Sequence, residues 1–202
     1  TASITSFYQL AIADKRAMQI APGTHALSLK ISAKQALDQL IDPKRNTGLV
    51  SIIEGTWRNE IASKMKSIGF VNVDAAFKSA KPPAGFSLTE GIYFPAQYSF
   101  AKGTTASVAI QSMIDRFQRE ANAVGLKSES ELIIASLIQA EGDPQDFTKI
   151  SRVIYNRIKI GMPLQFDTTV QYLLKKRGSV FLSTKSTLID SPYNTYKHYG
   201  LP

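Results

Sequence analysis

The 202 residues contain no cysteine. That absence removes disulfides, thiolate nucleophiles, iron–sulfur clusters and most structural zinc sites at once. Histidine is nearly as scarce. His25 and His198 stand 173 residues apart and share no ligand spacing, so neither a histidine-centred triad nor a multi-histidine metal site is supported, and no metal or other cofactor is expected. No apolar run approaches the roughly 18 residues that cross a bilayer, and the start TASITSFYQL lacks the charged-then-apolar order of a leader peptide. A chain with neither span nor leader is expected, any anchor belonging to a segment outside it.

Acidic residues are the minority charge. Sixteen Asp and Glu face twenty-four Lys and Arg, a net charge of +8. Nucleic acid, acidic lipid headgroups and anionic wall polymers would all be drawn by the same screened attraction. The basic residues are scattered, with Lys175, Lys176 and Arg177 the only run of three, and no nucleic-acid recognition motif accompanies them. Nucleic acid is therefore not the expected partner. The rest of the composition, 44% hydrophobic and 20% charged, is that of a folded globular chain with room for one domain or two small ones.

The first half alternates short strand-like and helix-like stretches. ITSFYQLAIADKRAMQ carries Ile4, Phe7, Leu10 and Ala11 on one helical stripe, interrupted by Asp14, and THALSLKI follows as a strand candidate. Ser32 precedes the helical AKQALDQLI, GLVSIIEGT reads as a short β run, and WRNEIASKMKSIGF spaces Trp57, Ile61, Met65 and Ile68 as a helix does. Both units place a Gly-Thr turn beside a strand, at residues 23–24 and 55–56, which suggests a pseudo-repeat. The Pro-, Gly- and Lys-rich stretch 78–91 is the expected domain boundary. Beyond it come the aromatic YFPAQYSF and then mainly helices, beginning with SVAIQSMIDRFQREANAVG, whose apolar face holds Ile110, Met113, Ile114 and Phe117.

Ser128 and Glu131 have capping-box spacing, so a helix is expected over SESELIIASLIQAEG with Gly142 as a left-handed stop. Glu141 then occupies the last turn. The residues three, four and seven positions before it are Ile138, Leu137 and Ile134, which aims the carboxyl at an apolar core. Desolvation there raises a carboxyl pKa and suits it to deliver a proton to a leaving group. A Glu141 that turns outward, or pairs with Arg152 or Arg157, is the competing reading.

Asp143-Pro144 reads as a cap followed by a proline at the first helical position, so Glu141 lies at a helix–helix corner. On the next helix Phe147, Ile150, Ile154 and Ile158 form one stripe and Val153, Asn156, Arg157 and Ile160 its neighbour. Asn156 either faces the corner as a hydrogen-bond donor or faces solvent. GMPLQFDTTVQYLL offers Gln165, then Asp167 or Thr168 as cap of a further helix. The end packs Tyr193, Tyr196 and Tyr199 with Asn194 and Thr195 in a turn-prone stretch, a composition suited to stacking on sugar rings and bonding their hydroxyls.

EGIYFPAQYSF, ASLIQAEG, VIYNRIKIGMPLQFDTTVQYLL and SPYNTYKHYGLP, in this order, resemble the endolytic murein transglycosylase family, also called MltG or YceG-like. IAPGTHALSLKISAKQALDQL and VSIIEGTWRNEIASKM are similar, more loosely, to the LysM-like region that precedes its catalytic part. The resemblance implies an α+β chain, with a small LysM-like α/β region over residues 1–88 and a mostly helical catalytic domain over 89–202, incomplete at its C-terminal end. It implies an enzyme on the extracytoplasmic side of the bacterial cell membrane, held by a single-pass anchor missing here. Such an enzyme cuts peptidoglycan glycan strands internally and leaves 1,6-anhydro ends on N-acetylmuramic acid. Cell-wall synthesis proteins are the implied partners.

The family's essential glutamate falls at the second Glu of an I-I-E-x-E pattern. That pattern reads LIQAE here, which maps the acid onto Glu141 and puts Gln139 where the earlier acid would stand. Asn156, Gln165, Asp167, Tyr193, Asn194, Thr195 and Tyr196 match motif positions and are expected to shape a saccharide groove. Glu90, Tyr93, Phe94 and Pro95 belong either to that groove or to the architecture. Hydrolytic glycosidases usually need two carboxylates. A lytic transglycosylase manages with one, because the sugar's own sixth-carbon hydroxyl closes on the anomeric carbon while the glutamate acts first as acid and then as base. The alternative is a non-catalytic module that grips cell-wall glycan.

Overall fold

The computed structural model of the chain describes residues 3–21, 23–86, 90–178 and 181–202. It is an α+β chain of helices with two small antiparallel strand pairs, and it divides into two compact units. One comprises Thr1–Pro82 with Ile92–Phe117, the other Pro83–Gly91 with Gln118–Pro202. The expected boundary between residues 88 and 89 lies outside the described residues.

The first unit opens with α1 (Ile4–Ala13), whose cap Ser3 accepts from the Ser6 N–H at 3.1 Å. Asp14 closes that helix and starts a 3-10 turn, Lys15–Gln19, by accepting the Arg16 N–H at 3.0 Å. Of THALSLKI only β1 (Thr24–His25) is strand; Leu27 and Leu29 are exposed, so the run has no apolar face to bury against a sheet. Ser32 and Gln35 form a reciprocal capping box at the start of α2 (Ala33–Ile41), with bonds of 3.2 and 3.0 Å. β1 pairs with β2 (Asn46–Thr47).

β3 (Leu49–Ser51) pairs antiparallel with β4 (Gln97–Ser99), setting Val50 opposite Tyr98. The two halves of the suspected repeat thus pair differently, one with a strand about twenty residues on and the other with a strand about fifty residues on. Gly48 sits at φ +69°, and a Cβ on it would lie 2.2 Å from the Phe100 carbonyl oxygen, so only glycine permits this approach. α3 (Arg58–Ser67) buries Ile61, Ala62 and Met65, whereas Ile68, expected on the same stripe, is exposed beyond the helix end.

A further helix, α4 (Val73–Ser79), follows a left-handed Asn72 and buries Val73, Ala76 and Phe77. The Phe77 ring meets Tyr93 edge-on at 5.1 Å. α5 (Ala106–Val124) buries Ile110, Met113, Ile114 and Phe117 as its periodicity requires.

The second unit carries α6 (Glu129–Glu141), α7 (Phe147–Lys159), α8 (Asp167–Leu174) and α9 (Thr184–Thr187). Its core joins Ile134 and Leu137 of α6, Ile154 of α7, and Leu164 and Phe166 from the connection into α8. Burying five such side chains contributes on the order of 10 kcal/mol before the entropy of ordering them. No helix among the described residues is long and apolar enough to cross a membrane.

Candidate active site

Glu141 is the last residue of α6, a helix begun by the Ser128–Glu131 capping box. Ile134 and Leu137 on its face are buried and Ile138 packs against the same core, so the Glu141 side chain is half-buried rather than free in solvent. Burial pushes its carboxyl pKa above the ordinary glutamate range. The negative charge of Asp167 adds to that rise, while hydrogen bonding from Thr168 and the positive charge of Arg157 oppose it. The partial negative charge at the end of α6 acts in the same upward direction.

The partner of the carboxylate is a hydroxyl. Thr168 Oγ1 donates to Glu141 Oε1. Arg152 is exposed, and the Arg157 guanidinium, expected as a candidate ion-pair partner, instead donates to the Leu164 carbonyl and lies 5.9 Å from the Phe166 ring centre. It acts on Glu141 only through space.

Gly142 corrects one expectation. Its backbone is extended, at φ −173° and ψ −176°, so no left-handed stop ends α6. A Cβ there would lie 2.7 Å from the Ile150 Cδ1 of α7, so any larger residue would have to move the tip of that side chain. The chain then passes through the 3-10 turn Pro144–Asp146, with Pro144 at its first position, into α7.

Neither Asp167 nor Thr168 is the cap of α8. Phe166 holds that position and Asp167 is the first helical residue, favourable for an acid at a helix N-terminus. Asp167 Oδ1 instead accepts the phenol proton of Tyr196. Desolvation, reinforced by that bond and the Asp167 charge, pushes the Tyr196 pKa up to about 12.

Asn194 and Thr195 are fully buried, at 0% and 1% exposure, and their side chains are spent inside the protein. Asn194 donates to the Thr187 and Ile189 carbonyls at 3.0 and 2.7 Å and accepts the Tyr196 N–H at 3.0 Å. Thr195 Oγ1 accepts the Phe166 N–H at 2.9 Å and lies 3.0 Å from Thr169 Oγ1. These two residues hold the loop rather than face a ligand, because an unpaired polar group in that interior would cost about 1–3 kcal/mol.

Gln165 adopts a left-handed backbone, φ +52°, with its N–H donated to the Thr195 carbonyl at 3.0 Å and its side chain exposed. Such a conformation costs a non-glycine residue about 1 kcal/mol or more, which the paired loop sustains. Asn156 is exposed on α7. Tyr193 packs on Tyr172 with ring centres 4.9 Å apart, and burial raises its pKa, helped by the charge of Glu90.

Glu90 accepts from the Tyr172 hydroxyl at 2.8 Å within this unit. Tyr93 and Phe94 belong to the first unit, where Phe94 lies under the Arg116 guanidinium at 5.3 Å and its carbonyl accepts from the Tyr98 hydroxyl at 2.6 Å.

The structure therefore brings together Glu141, Asp167 and Tyr196, with Thr195 and Asn194 behind them and Gln165 on the adjoining loop. Thr168 and Arg157 complete the group. The sequence offers Thr168 only as a cap and Arg157 only as an ion-pair partner, and the sole sequence signal for Thr168 is its place next to Asp167 at a helix start. Among the described residues no three His, Asp or Glu side chains converge as a metal site.

Over 121 residues, 55% of the chain, the sequence is 39% identical to the endolytic murein transglycosylase of Bacillus subtilis, matching 33% of that protein. It is 35% identical over 124 residues to the endolytic murein transglycosylase of Streptococcus pneumoniae strain D39, of which 22% is matched. The chain thus spans a third or less of the length of the curated relatives it matches. A crystal structure of a yceG-like protein from Listeria monocytogenes superposes with a TM-score of 0.62 at 22% identity, over 100% of this chain and 76% of that one, a likeness of fold. The model of the YceG-like family matches residues 1–202, the whole sequence, and the chain belongs to that family.

Proposed function

We propose that this chain is the catalytic part of an endolytic murein lytic transglycosylase, with Glu141 as its single acid and base. The observation that carries the reading is a half-buried glutamate at a helix corner whose pKa is raised by desolvation and whose direct partner is a neutral hydroxyl. A carboxyl so placed holds its proton nearer neutrality than an exposed one and can pass it to a glycosidic oxygen. Once ionised, it takes the proton of the muramic acid's sixth-carbon hydroxyl as that oxygen bonds to the anomeric carbon. The hydroxyl is already part of the substrate, so no second carboxylate has to activate water. The neighbouring acid, Asp167, accepts the Tyr196 phenol proton, which favours a supporting part for it over that of a second catalytic carboxylate.

The supporting residues follow from their placement. Exposed Gln165, Asn156 and the Tyr196–Asp167 pair line the approach to the acid, Tyr193 offers a partly buried ring for stacking, and Asn194 and Thr195 hold that wall in shape. The catalytic work falls to residues 89–202, preceded over residues 1–88 by a LysM-like region that grips glycan. The substrate places the protein on the extracytoplasmic side of the cell membrane, anchored by a segment outside this chain and near cell-wall synthesis proteins.

The test is product analysis by mass spectrometry on glycan strands treated with the full-length protein. Anhydro-muropeptides are expected, and Glu141→Gln should lower their formation at least about 100-fold with the fold intact by circular dichroism. Reducing-end products would instead make the protein a hydrolase, and tight glycan binding without any cleavage would make it a binding module.

A further inference from the structure

We propose that Thr168 is the positioning residue of the acid: by donating to Glu141 Oε1 it fixes the carboxyl plane and leaves Oε2 as the oxygen that gives and retakes the proton. The inference rests on the reading of Glu141 as the catalytic acid. A glutamate in the last turn of a helix has three side-chain torsions and no following turn to pack against, so its geometry must be supplied from elsewhere. Thr168 supplies that geometry, its hydroxyl donating to Oε1 and its backbone N–H also favouring the ionised carboxyl.

Thr168 is well suited to that task. It is β-branched and therefore stiff at its first torsion, and it is the second residue of α8, directly before the buried Thr169 and Val170. The start of α8 is itself tied down. Thr169 Oγ1 donates to the Phe166 carbonyl at 2.7 Å, and Thr195 Oγ1 accepts the Phe166 N–H at 2.9 Å. A hydroxyl delivered from so constrained an element holds its acceptor more narrowly than a solvent-facing side chain could.

The proton balance fits this division of the two oxygens. In the neutral acid Oε1 is the carbonyl oxygen and still accepts from Thr168, while Oε2 carries the hydrogen. The Oε2–H bond breaks as the glycosidic oxygen gains the proton, and the bond from that oxygen to the anomeric carbon breaks as the sixth-carbon oxygen bonds there. The proton of that hydroxyl then goes to Oε2, restoring the acid. Thr168 keeps its own proton throughout.

The charged and titratable groups around the carboxyl are Asp167 from α8, Arg157 from α7 and Tyr196 from the C-terminal segment. None of them changes in Thr168→Val, which deletes the hydroxyl at nearly constant shape. Because the hydroxyl favours the ionised form, its loss should move the Glu141 titration to higher pH and carry the basic limb of the cleavage profile upward with it. The titration is read by carbon-13 NMR of the side-chain carboxyls, with Glu141→Gln as the assignment.

kcat should fall about tenfold to a hundredfold through lost orientation, with KM little changed. Thr168→Ser should restore both titration and rate, and Thr168→Ala serves the same comparison should the valine variant not fold. An unmoved Glu141 titration in the variants lacking the hydroxyl, or a rate that serine does not rescue, would overturn the assignment. The NMR titration judges the Thr168–Glu141 bond whether or not glycan is cut, whereas undiminished cleavage by Glu141→Gln overturns the reading of the acid itself.

Discussion

The two units bury different things. In the first, the fully enclosed side chains are apolar, among them Leu37, Val50, Ile61, Met65, Ile110 and Met113. In the second, Thr169, Asn194 and Thr195 lie as deep as Leu164 and Val170, and Glu141, Tyr193 and Tyr196 have pKa values displaced upward. An apolar interior maximises the hydrophobic return and tolerates imprecise geometry. A polar interior contributes less per residue and must satisfy each donor and acceptor, but it fixes directions, which is what an acid needs from its surroundings. The contrast sets the second unit apart as the one whose interior is organised around polar groups.

Substitutions can break that contrast. In the first unit Ile110→Ala, at a fully buried position on α5, should cost about 3 kcal/mol in urea denaturation through lost burial and a residual cavity. It should leave the Glu141 titration where it was. In the second unit Thr195→Val keeps the volume but strands the Phe166 N–H and removes the Thr195–Thr169 hydroxyl contact, at a cost of about 2 kcal/mol. Unlike the first change, it should also disturb the titrations of Glu141 and Tyr196, since it loosens the loop that carries Tyr196. Equal effects of both substitutions on those titrations would erase the distinction.

Asp167→Asn should have the smallest effect on stability and the most informative effect on charge. Asparagine can still accept the Tyr196 proton, so the contact survives while the charge goes. With the charge gone, Glu141 should titrate at lower pH and the basic limb of any cleavage profile should move down, opposite to Thr168→Val. Tyr196 titrates higher folded than unfolded, so the stability linked to it is present below its ordinary value near 10.0 and lost as pH rises toward about 12. Asp167→Asn should shrink that alkaline loss, as followed by tyrosinate absorbance together with the unfolding midpoint. An unchanged Tyr196 titration would mean that the Asp167 charge contributes nothing to the rise.

Local chemistry made much of this legible in advance. Ser32, and Ser128 with Glu131, each begin the helix they announced, because a cap satisfies orphan donors from within four residues. The stripe Ile110, Met113, Ile114 and Phe117 is buried as its spacing demands. Where a distant partner decides, the sequence is silent or misleading. THALSLKI stops after two strand residues for want of an apolar face to cover, while the pairing of β4 with a strand about fifty residues earlier and the short α4 leave no signal to read. Gly142 follows the common habit of helix ends in its identity but not in its backbone, which is extended where it meets the tip of Ile150 on the next helix.

The sequence by itself determined the helix starts at Ser32 and Ser128, the lack of thiol chemistry, and the turn of α6 on which Glu141 shares a face with Ile134, Leu137 and Ile138, since all of these depend on composition or on neighbours within two turns. Only the tertiary structure decided which groups surround that carboxyl. Thr168, Asp167 and Tyr196 lie 27, 26 and 55 residues further along the chain, and their approach comes from packing α6, α7 and α8 on one core and folding the last residues back onto them. Contacts at such separations leave no periodic trace in sequence, because the energy that makes them is gained only when the whole unit closes.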